Sequence, residues 1–139
     1  MEVVFSMAII SLIASLGLFL SMDFYRGYAF SAERDTAVSV LHRARAKAMA
    51  NINESKHGVK IEDDRYVLFQ TDSDFIGRDS SYDQNIPFEQ NTVFSGDTNV
   101  VIFNQLSGNT GFVSNNVILI SDGFKIATIS INFEGGIDY

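Results

Sequence analysis

The sequence predicts an α+β fold: a long N-terminal α-helix, its first half suited to crossing a bilayer, packed through its second half on a small antiparallel β-sheet or β-sandwich. Three observations carry this expectation. Val3 to Met22 is an uncharged run of 20 residues, residues 31–55 repeat apolar side chains at helical spacing, and beyond Ser55 the apolar period drops to two. The expected domains are a hydrophobic helix over 1–30 and a head over 31–139, the head comprising an amphipathic helix at 31–55 and a β domain at 56–139. With 139 residues the chain can bury one small core.

The first element reads VVFSMAIISLIASLGLFLSM. As a helix it extends about 30 Å, the thickness of the hydrocarbon layer. A cleaved secretory signal would carry a basic flank and a nearby small-residue cleavage site, whereas here Glu2 precedes the run and Asp23 and Arg26 follow it. A helix buried in a soluble core would carry a polar stripe. Here the only polar side chains are Ser6, Ser11, Ser15 and Ser21, whose hydroxyls can bond back to their own helix. Gly17 and Gly27 are the points where this helix would bend or loosen.

The next stretch, SAERDTAVSVLHRARAKAMANIN, sets Ala37, Leu41, Ala44, Ala48 and Ile52 at spacings of four, three, four and four. They form one apolar stripe. Arg34, Arg43, Arg45 and Lys47 lie mostly off it, and no proline interrupts the chain up to Ser55, so one helix continuous with the first is expected.

Beyond Ser55, HGVKIEDDRYVLFQ alternates Val59 and Ile61 with Lys60 and Glu62, turns at Asp63-Asp64, and resumes with an apolar run from Tyr66 to Phe69. That is a hairpin. A further strand is expected around Val100 to Phe103, and two more in NVILISDGFKIATISINF, joined at Asp122-Gly123. In the last of these, Ala127, Ile129, Ile131 and Phe133 share the side expected to be buried, opposite Thr128, Ser130, Asn132 and Glu134. The segment TDSDFIGRDSSYDQNIPFEQNT is polar, contains the only proline, Pro87, and reads as a long connection with a short strand near Phe88 or Phe94.

These residues resemble a known family. A hydrophobic helix with one glutamate at its start, an amphipathic continuation and a small β domain are similar to the type IV pilins and pseudopilins. LHRARAKAMANINESKHGVKIEDDRYVLF, IFNQLSGNTGF and ATISINFEGGIDY resemble, more narrowly, the H-type minor pseudopilins of type II secretion and related fimbrial minor pilins. The resemblance implies a pilin-like fold and a structural subunit of a pseudopilus or pilus that assembles through its N-terminal helix. It implies that Met1 stands at the fourth position of a mature chain and Glu2 at the fifth. There Glu2 would attract the N-terminal amine of a neighbouring subunit during assembly. Phe19 occupies a position where many pilins carry proline, so loosening of the helix there would rest on Gly17.

The partners implied are other pilin or pseudopilin subunits, membrane lipid before assembly, a prepilin peptidase and an assembly platform. The implied location is the bacterial cytoplasmic membrane, single-pass with the head outside, and then a cell-surface or periplasmic fibre. The alternatives are a ligand-binding minor pilin and an unrelated single-pass membrane protein with a small β domain.

No enzymatic activity, cofactor or metal site is expected. His42 and His57 have no cysteine or G-x-S-x-G motif beside them, SGDTN and SGNTG lack the lysine of a phosphate-binding loop, and TDSD and EDD lack the ligand spacing of a calcium loop. The net charge is −7, and the stretch from Glu62 to Tyr139 holds 12 acidic against 3 basic residues. Such a head disfavours nucleic acid. The basic residues of the helix are expected to meet the acidic heads of neighbouring subunits.

Overall fold

The computed structural model describes residues 2–88 and 92–139, Asp23 by its backbone alone. Met1, assigned above to a mature-chain position, and residues 89–91 of the polar connection lie outside the described residues. The chain divides into two compact units, Met1–Ala32 and Glu33–Tyr139. A single helix, α1, runs over Glu2–Met49 and contributes to both.

α1 stops short of the expected end at residue 55. Asn51 takes a left-handed conformation (φ 54°, ψ 38°), followed by a 3₁₀ turn at Ile52–Glu54 in which Asn53 and Glu54 also have positive φ. Asparagine tolerates this region because its short side chain finds local partners; the Asn51 side chain accepts a hydrogen bond from Gln105 Nε2. The carbonyl of Ala48, which accepts from Asn51 N at 3.1 Å at the helix end, also accepts from Leu106 N at 2.9 Å. The stripe therefore holds at Ala37, Leu41, Ala44 and Ala48, all buried, while Ile52 leaves it and is 41% exposed.

Two four-stranded antiparallel sheets follow. The strands are β1 (Lys56–Ile61), β2 (Arg65–Thr71), β3 (Gln84–Pro87), β4 (Val93–Gly96), β5 (Val100–Phe103), β6 (Asn116–Ser121), β7 (Ile126–Ile131) and β8 (Ile137–Asp138). Their orders are β3-β2-β1-β5 and β4-β6-β7-β8. β1 and β2 form the expected hairpin, closed by Glu62 N donating to Arg65 O across Asp63-Asp64. Pro87 sits in the edge strand β3, the place in a sheet where a missing donor does least harm.

The β6–β7 turn falls one residue later than expected. Its central pair is Gly123-Phe124, because Asp122 N donates to Lys125 O while Asp122 Oδ1 accepts from the backbone of Phe124 and Lys125. Gly123, at the first central position, supplies the positive φ of 86° that a tight hairpin needs there.

Register decides what is buried, since residues paired across strands share a face. In the first sheet His57, Val59, Ile61, Tyr66, Leu68, Val101 and Phe103 line one face, and all are buried. In the second, Ile118, Ile120, Ile129 and Ile131 are at most 1% exposed. Ala127 is half-buried on the same side, while Phe133 lies past the end of β7 and is exposed. The sheets meet at aromatic rings: Tyr66 stands 5.2 Å from Phe88 and 5.4 Å from Phe94, edge-on to the latter.

The opposite face of the first sheet, with Gly58, Val67 and Phe69, is buried as well, and the polar connection covers it. Phe75 stacks edge-on against Phe69 at 5.0 Å, with Lys60 Nζ 4.1 Å and Arg78 Cζ 3.6 Å from its ring centre. Arg78 is held in turn by Asp83 at 2.9 Å and by the Phe75 carbonyl. What reads as a loose polar loop is thus an aromatic plug with two cations against its ring.

Gly58 marks the tightest point of this packing. A Cβ there would lie 2.5 Å from Phe69 Cζ and 2.6 Å from Val101 O. Gly58→Ala is expected to destabilise the unit by about 1–3 kcal/mol, the usual range for overpacking. Urea unfolding followed by circular dichroism measures this, and an unchanged midpoint would show that the sheet yields freely at that position.

Candidate functional site

Along the first half of α1 the backbone bonds are closed within the helix and the side chains are apolar on every side. Val4 is 72% exposed, Ile10 66%, Leu16 57% and Phe19 69%. None of the most apolar stretch is buried against the rest of the chain, and among the described residues this is the one helix long and apolar enough to cross a membrane. Three of the four serines bond back to their own helix: Ser6 donates to Glu2 O at 2.9 Å, Ser11 to Met7 O at 2.9 Å and Ser15 to Leu12 O at 2.8 Å. Their polarity is spent inside the helix, so the outer surface remains fit for hydrocarbon.

Glu2 stands exposed in the first turn of this helix. Ser6 bonds to the Glu2 carbonyl and leaves the carboxylate oxygens to other partners.

In the second half of α1 the basic residues divide. Arg45 Nη2 donates to Glu134 O at 2.9 Å and is half-buried, and Arg34 pairs with Asp35 at 2.8 Å while stacking 5.6 Å from the ring centre of Tyr139. These two side chains tie the helix to the C-terminal segment of their own unit. Arg43 remains exposed, and burial, with Arg43 nearby, lowers the pKa of half-buried Lys47.

One buried pair went unread in the sequence. Glu33 lies one turn ahead of Ala37 on the buried stripe, 4% exposed, and Oε1 accepts a 2.6 Å hydrogen bond from Tyr66 Oη. Burial first, and then the Glu33 carboxylate, push the Tyr66 hydroxyl well above the usual tyrosine range. The four-residue step from Glu33 to Ala37 continues the stripe upstream, and that spacing was the available signal. The pair joins the start of the unit's helix to β2.

Beside the aromatic rings lies a cavity of about 540 Å³. Phe88, Phe94 and Ile118 line it together with Glu62, Asp63 and Asp97, an apolar wall beside carboxylates. The two histidines are apart in character. His42 is exposed on α1, whereas His57 is buried and its Nε2 N–H donates to Ile52 O at 3.0 Å.

Burial lowers the His57 pKa below its ordinary value, outweighing the carbonyl bond that opposes the shift. The unfolded chain then binds more protons than the native one, so stability is full above about pH 6.5 and falls as the pH drops through the native pKa. Urea midpoints measured between pH 7.5 and 5 should decline over this window, and the decline should flatten in His57→Gln. A wild-type midpoint that stays level would contradict the buried neutral histidine.

No protein-family model, curated protein or solved structure matches the chain.

Proposed function

We propose that the chain is a structural subunit, a minor pseudopilin or pilin, that joins a type II secretion pseudopilus or a type IV pilus through its N-terminal helix. The observation that carries this reading is the all-round apolar surface of Val3–Met22 with a single carboxylate, Glu2, at its start. Lipid satisfies such a surface before assembly, and the helices of other subunits satisfy it afterwards. In that role the subunit waits in the cytoplasmic membrane with Glu33–Tyr139 outside the cytoplasm, and that unit forms part of the fibre surface.

Glu2 then acts as a register mark. A carboxylate within lipid costs about 2.5–3.5 kcal/mol at the bilayer centre and less near an end, and an incoming ammonium group offsets that cost. The residue supports assembly rather than chemistry; the reading assigns no catalytic group and no cofactor. A second reading, a subunit whose head captures a ligand, draws on the cavity beside Phe88 and Phe94. Its acidic lining favours a cationic or hydrogen-bond-donating ligand over nucleic acid.

Glu2→Ala should leave the protein stably inserted in the membrane and reduce its incorporation into fibres to background, because insertion is hydrophobic and only the charge pairing is lost. Immunoblots of sheared fibres and membrane fractions measure both. Normal incorporation of the variant would remove the assembly role of Glu2. Deletion of residues 1–32 should yield a soluble monomer, since the exposed apolar surface of the span goes with the deleted unit while the buried core remains. Gel filtration tests this, and aggregation under mild conditions would contradict it.

A further inference from the structure

The span ends in a feature that assembly through Glu2 does not use. Immediately after Met22 the helix carries Phe24, Tyr25 and Tyr28, which are 79%, 75% and 78% exposed. At the helical rotation and rise they fall within an arc of about 100° and within about 6 Å along the axis. Arg26 lies in the same turn. Rings so exposed are costly in water, and buried phenol hydroxyls need partners that hydrocarbon cannot supply. The headgroup layer meets both demands, and it is where Tyr and aromatic neighbours concentrate in membrane proteins.

From the proposal that Val3–Met22 spans the membrane, on which this rests, we infer that Phe24, Tyr25 and Tyr28 form a belt seated at the lipid headgroup boundary that fixes the depth of the unassembled subunit. The length of the helix supports the assignment. About 33 Å of helix axis separates Glu2 from Phe24, slightly more than the roughly 30 Å of hydrocarbon. A belt at one boundary therefore puts Glu2 at the opposite one. There the carboxylate reaches the headgroup layer and is available to an ammonium group. The full expense of a charge in lipid arises only when the helix is drawn out of this register. Aromatic belt and carboxylate act as the two ends of one gauge, with the apolar run between them matched to the bilayer.

Fluorescence of the full chain reconstituted in phosphatidylcholine vesicles tests the belt directly. The protein has no tryptophan, so Tyr25→Trp and Leu12→Trp each introduce a single reporter. Lipids carrying a quenching label high or low on the acyl chain locate it. Leu12→Trp should be quenched most by the deep label. Tyr25→Trp should be quenched most by the shallow one, with emission red of Leu12→Trp and blue of the same variant unfolded in urea. Tyr25→Trp quenched by the deep label as strongly as Leu12→Trp would overturn the belt while the spanning helix stands. Tyr25→Trp quenched freely by aqueous iodide and by neither lipid label would do the same. If Leu12→Trp is untouched by either label, the spanning helix itself is wrong and the belt falls with it.

Discussion

The apolar side chains of Val3–Met22 find no burial within the chain that carries them, and this unmet demand shapes the N-terminal unit. A surface of that kind tolerates only a backbone whose donors and acceptors are closed internally, which an unbroken helix provides. It tolerates hydroxyls only where they bond back, as Ser6, Ser11 and Ser15 do. It also pushes charge and aromatic hydroxyls to the ends, where Glu2, Tyr25 and Tyr28 stand. In the proposed role the same surface is served by two solvents in turn, lipid and then neighbouring helices, with no change in the residues that form it.

The unit Glu33–Tyr139 follows a different rule, since it closes its own core. Ala37, Leu41, Ala44 and Ala48 are buried in that core, and Glu33, the one buried carboxylate on that stripe, bonds the tyrosine at the meeting point of the two sheets. Breaking such a pair by removing one partner is costly, because a buried polar group loses a bond that water cannot replace. The pairing therefore specifies where the helix begins to pack. Arg45 and Leu106 perform the equivalent service at the other end of that helix, through Glu134 O and Ala48 O.

Much of this layout is legible in the residues. The β1–β2 hairpin, the strand at Val100–Phe103 and the β6–β7 pair follow from period-two runs bounded by turn residues, and the inward face of Ile129 and Ile131 from alternation alone. The departures have local physical causes. The helix ends early because asparagines at 51 and 53 accept left-handed geometry, a choice fixed by the distant Gln105 and Leu106 that periodicity cannot register. The polar connection hides Phe75 among charged neighbours, so its role as a plug depends on Lys60 and Arg78 arriving from different parts of the chain. Glu33 was invisible as a core residue because a carboxylate is read as solvated until its partner, Tyr66, is found opposite. Of the candidate assembly site, the apolar run and Glu2 are evident at once, whereas the cavity beside Phe88 depends on strands that polar sequence conceals.

The central claim is that the surface of Val3–Met22 passes from lipid to the helices of other subunits. Replacing Leu12, 62% exposed at mid-span, by a photo-crosslinking aromatic residue reports what touches it. Irradiation of cells with a working assembly machine should join the chain covalently to other helical subunits recovered in sheared fibres, and irradiation without the machine should join it to lipid. Lipid adducts alone under both conditions would contradict the account.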